Sequence, residues 1–142
     1  MNILFVCTGN TCRSPMAEAL AGSRGGHQCS SAGIFAHEGN RASPLAVQVC
    51  EEQNLFLGNH RARRLNLEMM QEAHLILTMT KEHKAWIEQQ YGKQPHVYTI
   101  GEYAAVKGLK DVADPFGGEL EDYRQTRTQL KILLDAVWRQ IQ

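Results

Sequence analysis

The first fifteen residues of this chain constrain its fold more than any other segment. Residues 2–6, Asn-Ile-Leu-Phe-Val, form a short apolar run, which is typical of a strand buried on both faces. Ser14-Pro15 follows and predicts a helix start, with Ser14 as the N-cap and Pro15 at the first helical position. A buried strand that leads through a loop into a helix is the opening unit of a parallel sheet covered by helices.

The rest of the chain continues this alternation of apolar strands and helical patterns. Further strands are predicted at 28–32, 74–79 and 96–100, and further helices at 43–53, 65–72, 80–91 and from 119 onward. The first helix is expected to fade at Gly25-Gly26, and residues 101–118 have the weak pattern of a long loop, which is often functional. Right-handed crossovers then give an α/β fold with an open, doubly wound, four-stranded parallel sheet flanked by helices on both faces. We expect a single domain over residues 1–142, with its ligand site at the carboxyl ends of the strands.

The composition argues against several classes of partner. Fifteen basic and fifteen acidic residues give a formal net charge of zero, so we expect neither nucleic acid nor an anionic membrane surface as a partner. No apolar run approaches the roughly 20 residues of a membrane span, and the N-terminus lacks the basic segment of a signal peptide. We therefore predict a cytoplasmic protein, in which the four cysteines are reactive or buried thiols. The six histidines show no metal-ligand spacing, so neither a metal nor a cofactor is expected.

The candidate chemistry lies in residues 7–14, which read Cys-Thr-Gly-Asn-Thr-Cys-Arg-Ser. Backbone N–H groups of a tight loop before a helix form an anion-binding nest. Gly9 is expected to permit backbone geometry that a side chain would obstruct, and Asn10 to adopt a left-handed conformation and tie the loop with its amide. Arg13 offers a planar fork for two phosphoryl oxygens. The helix dipole, Arg13 and a hydrogen bond from Ser14 are expected to lower the pKa of the Cys7 thiol, which predicts a covalent nucleophile.

A cysteine that attacks phosphorus needs a general acid for the leaving group. The best candidate is Asp114, because Pro115 restricts its backbone to an extended conformation that presents the carboxyl at a fixed angle. Phe116 is expected to add an apolar wall, and Asp111 is the rival acid. The catalytic residues are therefore predicted to be Cys7, Arg13 and Asp114. Predicted phosphate- or substrate-binding residues are Thr8, Gly9, Asn10, Thr11, Cys12, Ser14 and Phe116.

Three other residues have side chains that could act in catalysis, but they are expected to have structural roles. His60 could line a site but is expected to hydrogen-bond within the fold. Cys29 and Cys50 lie on a predicted strand and a predicted helix, and both are expected to pack in the core.

The loop and its flanks, Val-Cys-Thr-Gly-Asn-Thr-Cys-Arg-Ser-Pro-Met-Ala-Glu at 6–18, resemble the active-site signature of the low-molecular-weight protein tyrosine phosphatase family. The resemblance covers essentially the whole chain and includes Ser-Ala-Gly at 31–33, His-Arg-Ala-Arg at 60–63 and Asp-Pro-Phe at 114–116. It implies a four-stranded parallel sheet and a two-step hydrolysis of phosphorylated proteins that releases inorganic phosphate. Cys7 would take the phosphoryl group while Asp114 protonates the leaving atom, and water would then release phosphate with Asp114 as base.

Three departures from the tyrosine-specific pattern point to a different substrate. Thr11 stands where that pattern has a bulky aliphatic residue, and Phe116-Gly117 replaces a tyrosine pair. An aromatic pocket wall is often found near Ala36, and the nearest aromatic residue here is Phe35. Thr11 and the Asp-Pro-Phe-Gly-Gly loop resemble the bacterial protein-arginine phosphatase branch, so the resemblance implies hydrolysis of phosphoarginine.

Three alternatives stay open at this point. The first is a protein-tyrosine phosphatase of the same fold. The second is an arsenate reductase, which shares the loop but relays a disulfide through two later cysteines, whereas no cysteine follows Cys50. The third is a non-catalytic phosphate-binding module, which would need neither an activated thiol nor the aspartate loop.

Overall fold

The computed structural model describes residues 1–108 and 111–141 and contains one four-stranded parallel sheet. The strands are β1 Asn2–Cys7, β2 Gln28–Gly33, β3 Leu75–Thr78 and β4 Val97–Thr99, in the order β2-β1-β3-β4. The helices are α1 Arg13–Gly22, α2 Pro44–Glu51, α3 Leu67–Glu72, α4 Lys81–Tyr91, α5 Ile100–Ala104 and α6 Leu120–Ile141. The predicted fold class is confirmed.

The apolar run of β1 is buried on both faces, as its sequence predicts. Ile3 and Phe5 belong to one core cluster, which also includes buried residues of α1, α2, α5 and α6. Leu4 and Val6 point the other way into a second cluster with buried residues of α3 and α4. Because successive side chains of a strand face opposite sides, these four apolar residues supply both layers of the core.

Several predicted boundaries are wrong. Helix α1 begins at Arg13 with Cys12 as its N-cap, because the Ser14 hydroxyl hydrogen-bonds to the Cys7 sulfur instead of capping the helix. The same helix ends at Gly22 with Ser23 as its C-cap. Residues 101–118 are not all loop: α5 occupies their start, where Thr99 and Glu102 form a capping box.

None of the described helices combines the length and apolar character needed to cross a membrane. Within residues 1–108 and 111–141, no group of three or more His, Cys, Asp or Glu side chains is arranged to hold a metal ion.

Candidate active site

The loop that follows β1 lies where the carboxyl ends of β1 and β2 meet. Cys7 pairs in register with Gly33, the last residue of β2. The backbone N–H of Ile34 donates to the carbonyl of Cys7 at 2.9 Å, and that of Phe35 donates to the carbonyl of Thr8 at 2.9 Å. These bonds fix the start of the loop to the edge of the sheet, as the fold class predicts.

Asn10 supports this loop from behind. Its φ is 57°, and its side chain is fully buried. The Asn10 amide donates to the hydroxyls of Ser14 at 2.8 Å and Ser31 at 2.9 Å, and its carbonyl oxygen accepts from the backbone N–H of Arg63 at 2.9 Å. His60 Nε2 donates to the backbone carbonyl of Asn10 at 2.7 Å. The predicted left-handed Asn10 and the structural role of His60 both match this geometry.

Cys7 is almost fully buried at the base of the loop. Its sulfur lies 2.8 Å from the Ser14 hydroxyl, which already accepts from Asn10 and so has its own proton free to donate. Burial raises the pKa of the Cys7 thiol, against hydrogen bonds from Ser14 and the Asn10 backbone and the positive charge of Arg13, which all lower it. The expected lowering of the Cys7 pKa is therefore wrong, because desolvation of a buried anion exceeds the favourable contacts.

Arg13 links the loop to the segment that carries Asp114. Its side chain is buried, and Nη1 donates to the carbonyl of Val112 at 3.0 Å. Nη2 lies 3.6 Å from Oδ2 of Asp114, whose side chain is about half exposed. The backbone N–H of Val112 donates to the carbonyl of Met79 at 2.9 Å, just after β3. The predicted acid and the predicted guanidinium thus lie beside each other, although they are about one hundred residues apart in the chain.

Cys7, Arg13 and Asp114 line one cavity of about 330 Å³. Thr11 and Phe116 line it as well, and Phe116 is 73% exposed at its edge. The full lining is Cys7, Thr8, Gly9, Thr11, Cys12, Arg13, His37, Asn40, Asp114 and Phe116.

The cavity wall lacks the side chains of two predicted site residues and contains two residues that were not predicted. The side chains of Asn10 and Ser14 lie behind the loop and are not part of the cavity wall. His37 and Asn40 line the cavity, and sequence analysis missed them because residues 37–40 have no motif. The feature that could have indicated them is their position soon after the second predicted strand, because the site was expected at the carboxyl ends of the strands. Phe35 is not in the wall; it packs edge-to-face against Trp86, with ring centroids 5.6 Å apart.

Asp111 has a different position from Asp114. Its carboxylate accepts from the backbone N–H of Lys81 at 3.0 Å, in the first turn of α4. Gln129 of α6 donates to the backbone carbonyl of Asp111 at 3.0 Å. Asp111 is absent from the lining of the site cavity, so it anchors the loop that carries Asp114.

The other cysteines lie outside the Cys7 hydrogen-bond network. Cys12 is buried, and its thiol donates to the Ser43 hydroxyl at 3.3 Å and lies 3.5 Å from the hydroxyl of Tyr123. Burial raises the pKa of both Cys29 and Cys50 to about 11. Cys50 is buried as expected, whereas Cys29 is only partly buried.

The glycine that the loop requires is Gly33, not Gly9. A Cβ on Gly9 would meet only the Thr11 hydroxyl, at 3.7 Å, and Gly9 does not have a positive φ. A Cβ on Gly33 would lie 2.5 Å from the carbonyl oxygen of Thr8 and 2.9 Å from the backbone nitrogen of Asn10. The expectation for Gly9 is thus wrong, because the close backbone approach occurs where β2 passes the loop.

Comparisons with known proteins agree with this geometry. Residues 2–142 match the family model described as low molecular weight phosphotyrosine protein phosphatase. The chain is 46% identical to a protein-arginine-phosphatase of Bacillus subtilis, over 99% of this chain and 97% of that one. It is 40% identical to a low molecular weight protein-tyrosine-phosphatase of Staphylococcus epidermidis, over 96% of both chains. A solved structure of the YwlE arginine phosphatase, a variant with a phosphorylated active-site serine, has a TM-score of 0.92 and 44% identity, over 99% of this chain and 95% of that one.

Proposed function

The chain belongs to the low molecular weight phosphotyrosine protein phosphatase family, and we propose that it hydrolyses phosphoarginine in proteins through a phosphocysteine intermediate. It is a cysteine-dependent protein phosphatase, and what we propose is its substrate and the catalytic role of each site residue. The observation that carries the proposal is that Thr11 and Asp114 line the same cavity as Cys7.

In the first step, the thiolate of Cys7 attacks phosphorus, a sulfur–phosphorus bond forms, and the bond from phosphorus to the guanidine nitrogen breaks. Asp114 donates its proton to that nitrogen, so arginine leaves with its guanidine protonated and not as an anion. Arg13 and the backbone N–H groups of the loop stabilise the equatorial phosphoryl oxygens. This step leaves a phosphoryl group on Cys7. The phosphorylated serine of the YwlE variant supports a covalent intermediate at the equivalent place in a relative.

In the second step, a water molecule attacks phosphorus, and the sulfur–phosphorus bond breaks. The Asp114 carboxylate takes a proton from that water, which restores the acid for the next turnover. The products are inorganic phosphate and the Cys7 thiolate. The hydrogen bond from Ser14 and the charge of Arg13 then stabilise the thiolate against the cost of its burial.

Thr11 and Asp114 support arginine as the leaving residue. A phosphoguanidinium carries polar N–H groups, and an aliphatic wall would leave such a group unpaired at a cost of about 1–3 kcal/mol. Thr11 lines that wall, and its hydroxyl can accept from such an N–H group. Once Asp114 has donated its proton, its carboxylate attracts the departing guanidinium, whereas it would not attract a phenol. The Bacillus subtilis relative named as a protein-arginine-phosphatase supports the same choice.

The experiment that tests this proposal compares the purified protein and its Thr11→Ile variant on a phosphoarginine peptide and a phosphotyrosine peptide. We expect the wild type to favour phosphoarginine in kcat/KM, and Thr11→Ile to reduce that ratio by a factor of about 5 to 150. A wild-type ratio that favours phosphotyrosine would contradict arginine specificity. A ratio that Thr11→Ile leaves unchanged would contradict the role of Thr11 in that specificity.

Tyrosine dephosphorylation is the second candidate function. Phe116 gives the cavity an exposed aromatic wall suited to a phenyl ring, and the staphylococcal relative carries a tyrosine-phosphatase name. The same two peptides decide between the two functions.

A further inference from the structure

A buried histidine lies behind the cavity wall, and the mechanism above does not use it. His83 of α4 is 4% exposed. Its Nε2 lies 2.8 Å from the hydroxyl oxygen of Thr8, which lines the cavity beside Cys7. His83 therefore reaches the phosphate-binding loop from an element about 75 residues away in the chain.

Thr80 is the N-cap of α4, and it determines which ring nitrogen of His83 carries the proton. The backbone N–H of Thr80 donates to Nδ1 at 3.1 Å, and the Thr80 hydroxyl lies 3.0 Å from the same nitrogen. Because Nδ1 accepts, the proton of the neutral ring lies on Nε2. Burial lowers the pKa of His83 to about 4, with the positive charge of Arg13 acting in the same direction and the carboxylates of Asp111 and Asp114 opposing it. The ring is accordingly neutral near pH 7.

This tautomer orients the Thr8 hydroxyl. Nε2–H of His83 donates to one lone pair of Thr8 Oγ1, so the hydroxyl proton points away from the histidine. Across residues 1–108 and 111–141, Thr8 Oγ1 has no second hydrogen-bond partner, and its side chain is exposed at the cavity. A phosphoryl oxygen at the edge of the loop is an acceptor that fits this free donor.

We propose that His83 is a positioning residue, which holds the Thr8 hydroxyl as a hydrogen-bond donor to a phosphoryl oxygen of the substrate. The inference rests on the proposed function only in that a phosphoryl group occupies the cavity. It does not depend on whether arginine or tyrosine is released. Thr8 acts on the group common to both substrates, whereas Thr11 acts on the group that differs.

The chain offers a matched pair of substitutions at His83. In His83→Gln the amide nitrogen replaces Nε2 and can still donate to Thr8. In His83→Asn the amide oxygen replaces Nδ1 and keeps the acceptor for Thr80, but nothing reaches Thr8. We expect His83→Asn to lower kcat/KM about 3- to 10-fold, the effect of one hydrogen bond, and His83→Gln to restore most of the activity.

A double-mutant cycle with Thr8→Val separates positioning from a merely structural role. Thr8→Val should lower kcat/KM by a similar factor and Thr8→Ser by less. The double variant Thr8→Val, His83→Asn should be no slower than Thr8→Val alone. Additive losses, or wild-type rates for both His83→Asn and Thr8→Val, would overturn the proposal.

Every variant is assayed on both peptides, so that a failure of arginine specificity can be distinguished from a failure of the His83 proposal. Equal fold-losses on phosphoarginine and phosphotyrosine peptides are expected from His83→Asn. If the wild type prefers phosphotyrosine, arginine specificity fails while the cycle on phosphotyrosine still tests His83. Thermal unfolding of each variant shows whether it folds. If His83→Asn does not fold, the kcat/KM values of Thr8→Val and Thr8→Ser, together with that of His83→Gln, still test the proposal.

Discussion

Asp111 and Asp114 are the same residue type on one segment, yet they have different surroundings. Asp111 accepts a hydrogen bond at the start of α4, while Asp114 faces the cavity next to Arg13. Pro115 was the feature of the sequence that favoured Asp114, and the positions of the two carboxylates favour the same residue.

We expect Asp114→Asn to lower kcat on a phosphoarginine peptide about 10²- to 10⁴-fold, because the leaving nitrogen loses its proton donor. Asp111→Asn should lower kcat only several-fold, since its amide oxygen can still accept from Lys81. Cys7→Ser should abolish turnover while retaining binding of inorganic phosphate. A crippled Asp111→Asn beside an active Asp114→Asn would reverse the two assignments.

Cys12 shares the cavity with Cys7, and both thiols are free. We expect peroxide to convert the Cys7 thiolate to a sulfenic acid, and the Cys12 thiol to displace water from it and form a disulfide. Added thiol should then reduce that disulfide and restore activity. In Cys12→Ser, peroxide should instead drive Cys7 to irreversible acids, so the recovered activity falls well below that of the wild type. Cys29→Ser is the control, and equal recovery in Cys12→Ser and wild type would remove the hypothesis.

At the scale of elements, the site depends on how closely β2 approaches the loop after β1. We expect Gly33→Ala to push the backbone of Thr8 and Asn10 outward, because its Cβ would lie 2.5 Å from one backbone atom and 2.9 Å from another. A displacement of that kind should lower kcat/KM by about 10²-fold. Gly22→Ala is the matched control, since a Cβ at the end of α1 meets nothing within 4 Å. Steady-state kinetics on both variants make the comparison, and an active Gly33→Ala would show that the loop tolerates the shift.

Sequence patterns predicted the elements whose signals are local. The apolar run of β1 and the helix predicted at 80–91 are examples, and both elements form where their residues indicate. The start of α1 was misplaced because Ser14 is a strong capping residue whose hydroxyl is used on Cys7 instead. Helix α5 was missed although Thr99 and Glu102 have capping-box spacing.

Side chains brought together by tertiary contacts were less accessible to sequence reasoning. His37 and Asn40 reach the cavity only because β2 ends beside β1. His83 reaches Thr8 only because α4 follows the neighbouring strand β3. Neither contact has a signature within a short stretch of sequence, since each depends on the order of strands in the sheet. The raised pKa of Cys7 was missed for a related reason: the motif shows which groups contact the sulfur, but its burial follows from the packing of the whole core.

For the whole molecule, the sheet order and the last helix together assemble the site. Segments after β1, β2 and β3 meet at one edge of the sheet, and α6 packs against α1, α2 and α5 on the same core. Helix α6 also contacts the site segment, because Gln129 donates to the carbonyl of Asp111. Loosening α6 should therefore affect both the stability of the fold and the position of the Asp114 segment.

Glu52 joins α2 to α6, and its titration provides a test of that packing. Arg124 Nη2 donates to its carboxylate at 2.6 Å and Arg127 Nη1 at 2.7 Å. These hydrogen bonds lower the pKa of Glu52 from 4.5 to about 2. Because the folded state holds the carboxylate at a lower pKa than the unfolded chain, the contribution is complete above pH 4.5 and is lost as the pH falls toward 2.

We expect Glu52→Gln to lower the urea midpoint of unfolding at pH 7, by a modest amount because the pair is at the surface. The difference in urea midpoint between variant and wild type, called the gap below, should close as the pH is lowered from about 4.5 to about 2, because the wild-type carboxylate also becomes neutral there. Glu51→Gln, at the exposed neighbouring position, is the control and should follow the wild type throughout. Urea titrations across this pH range measure the gap. A gap that stays constant with pH would mean that Glu52 stabilises the α2–α6 contact by packing and not by its charge.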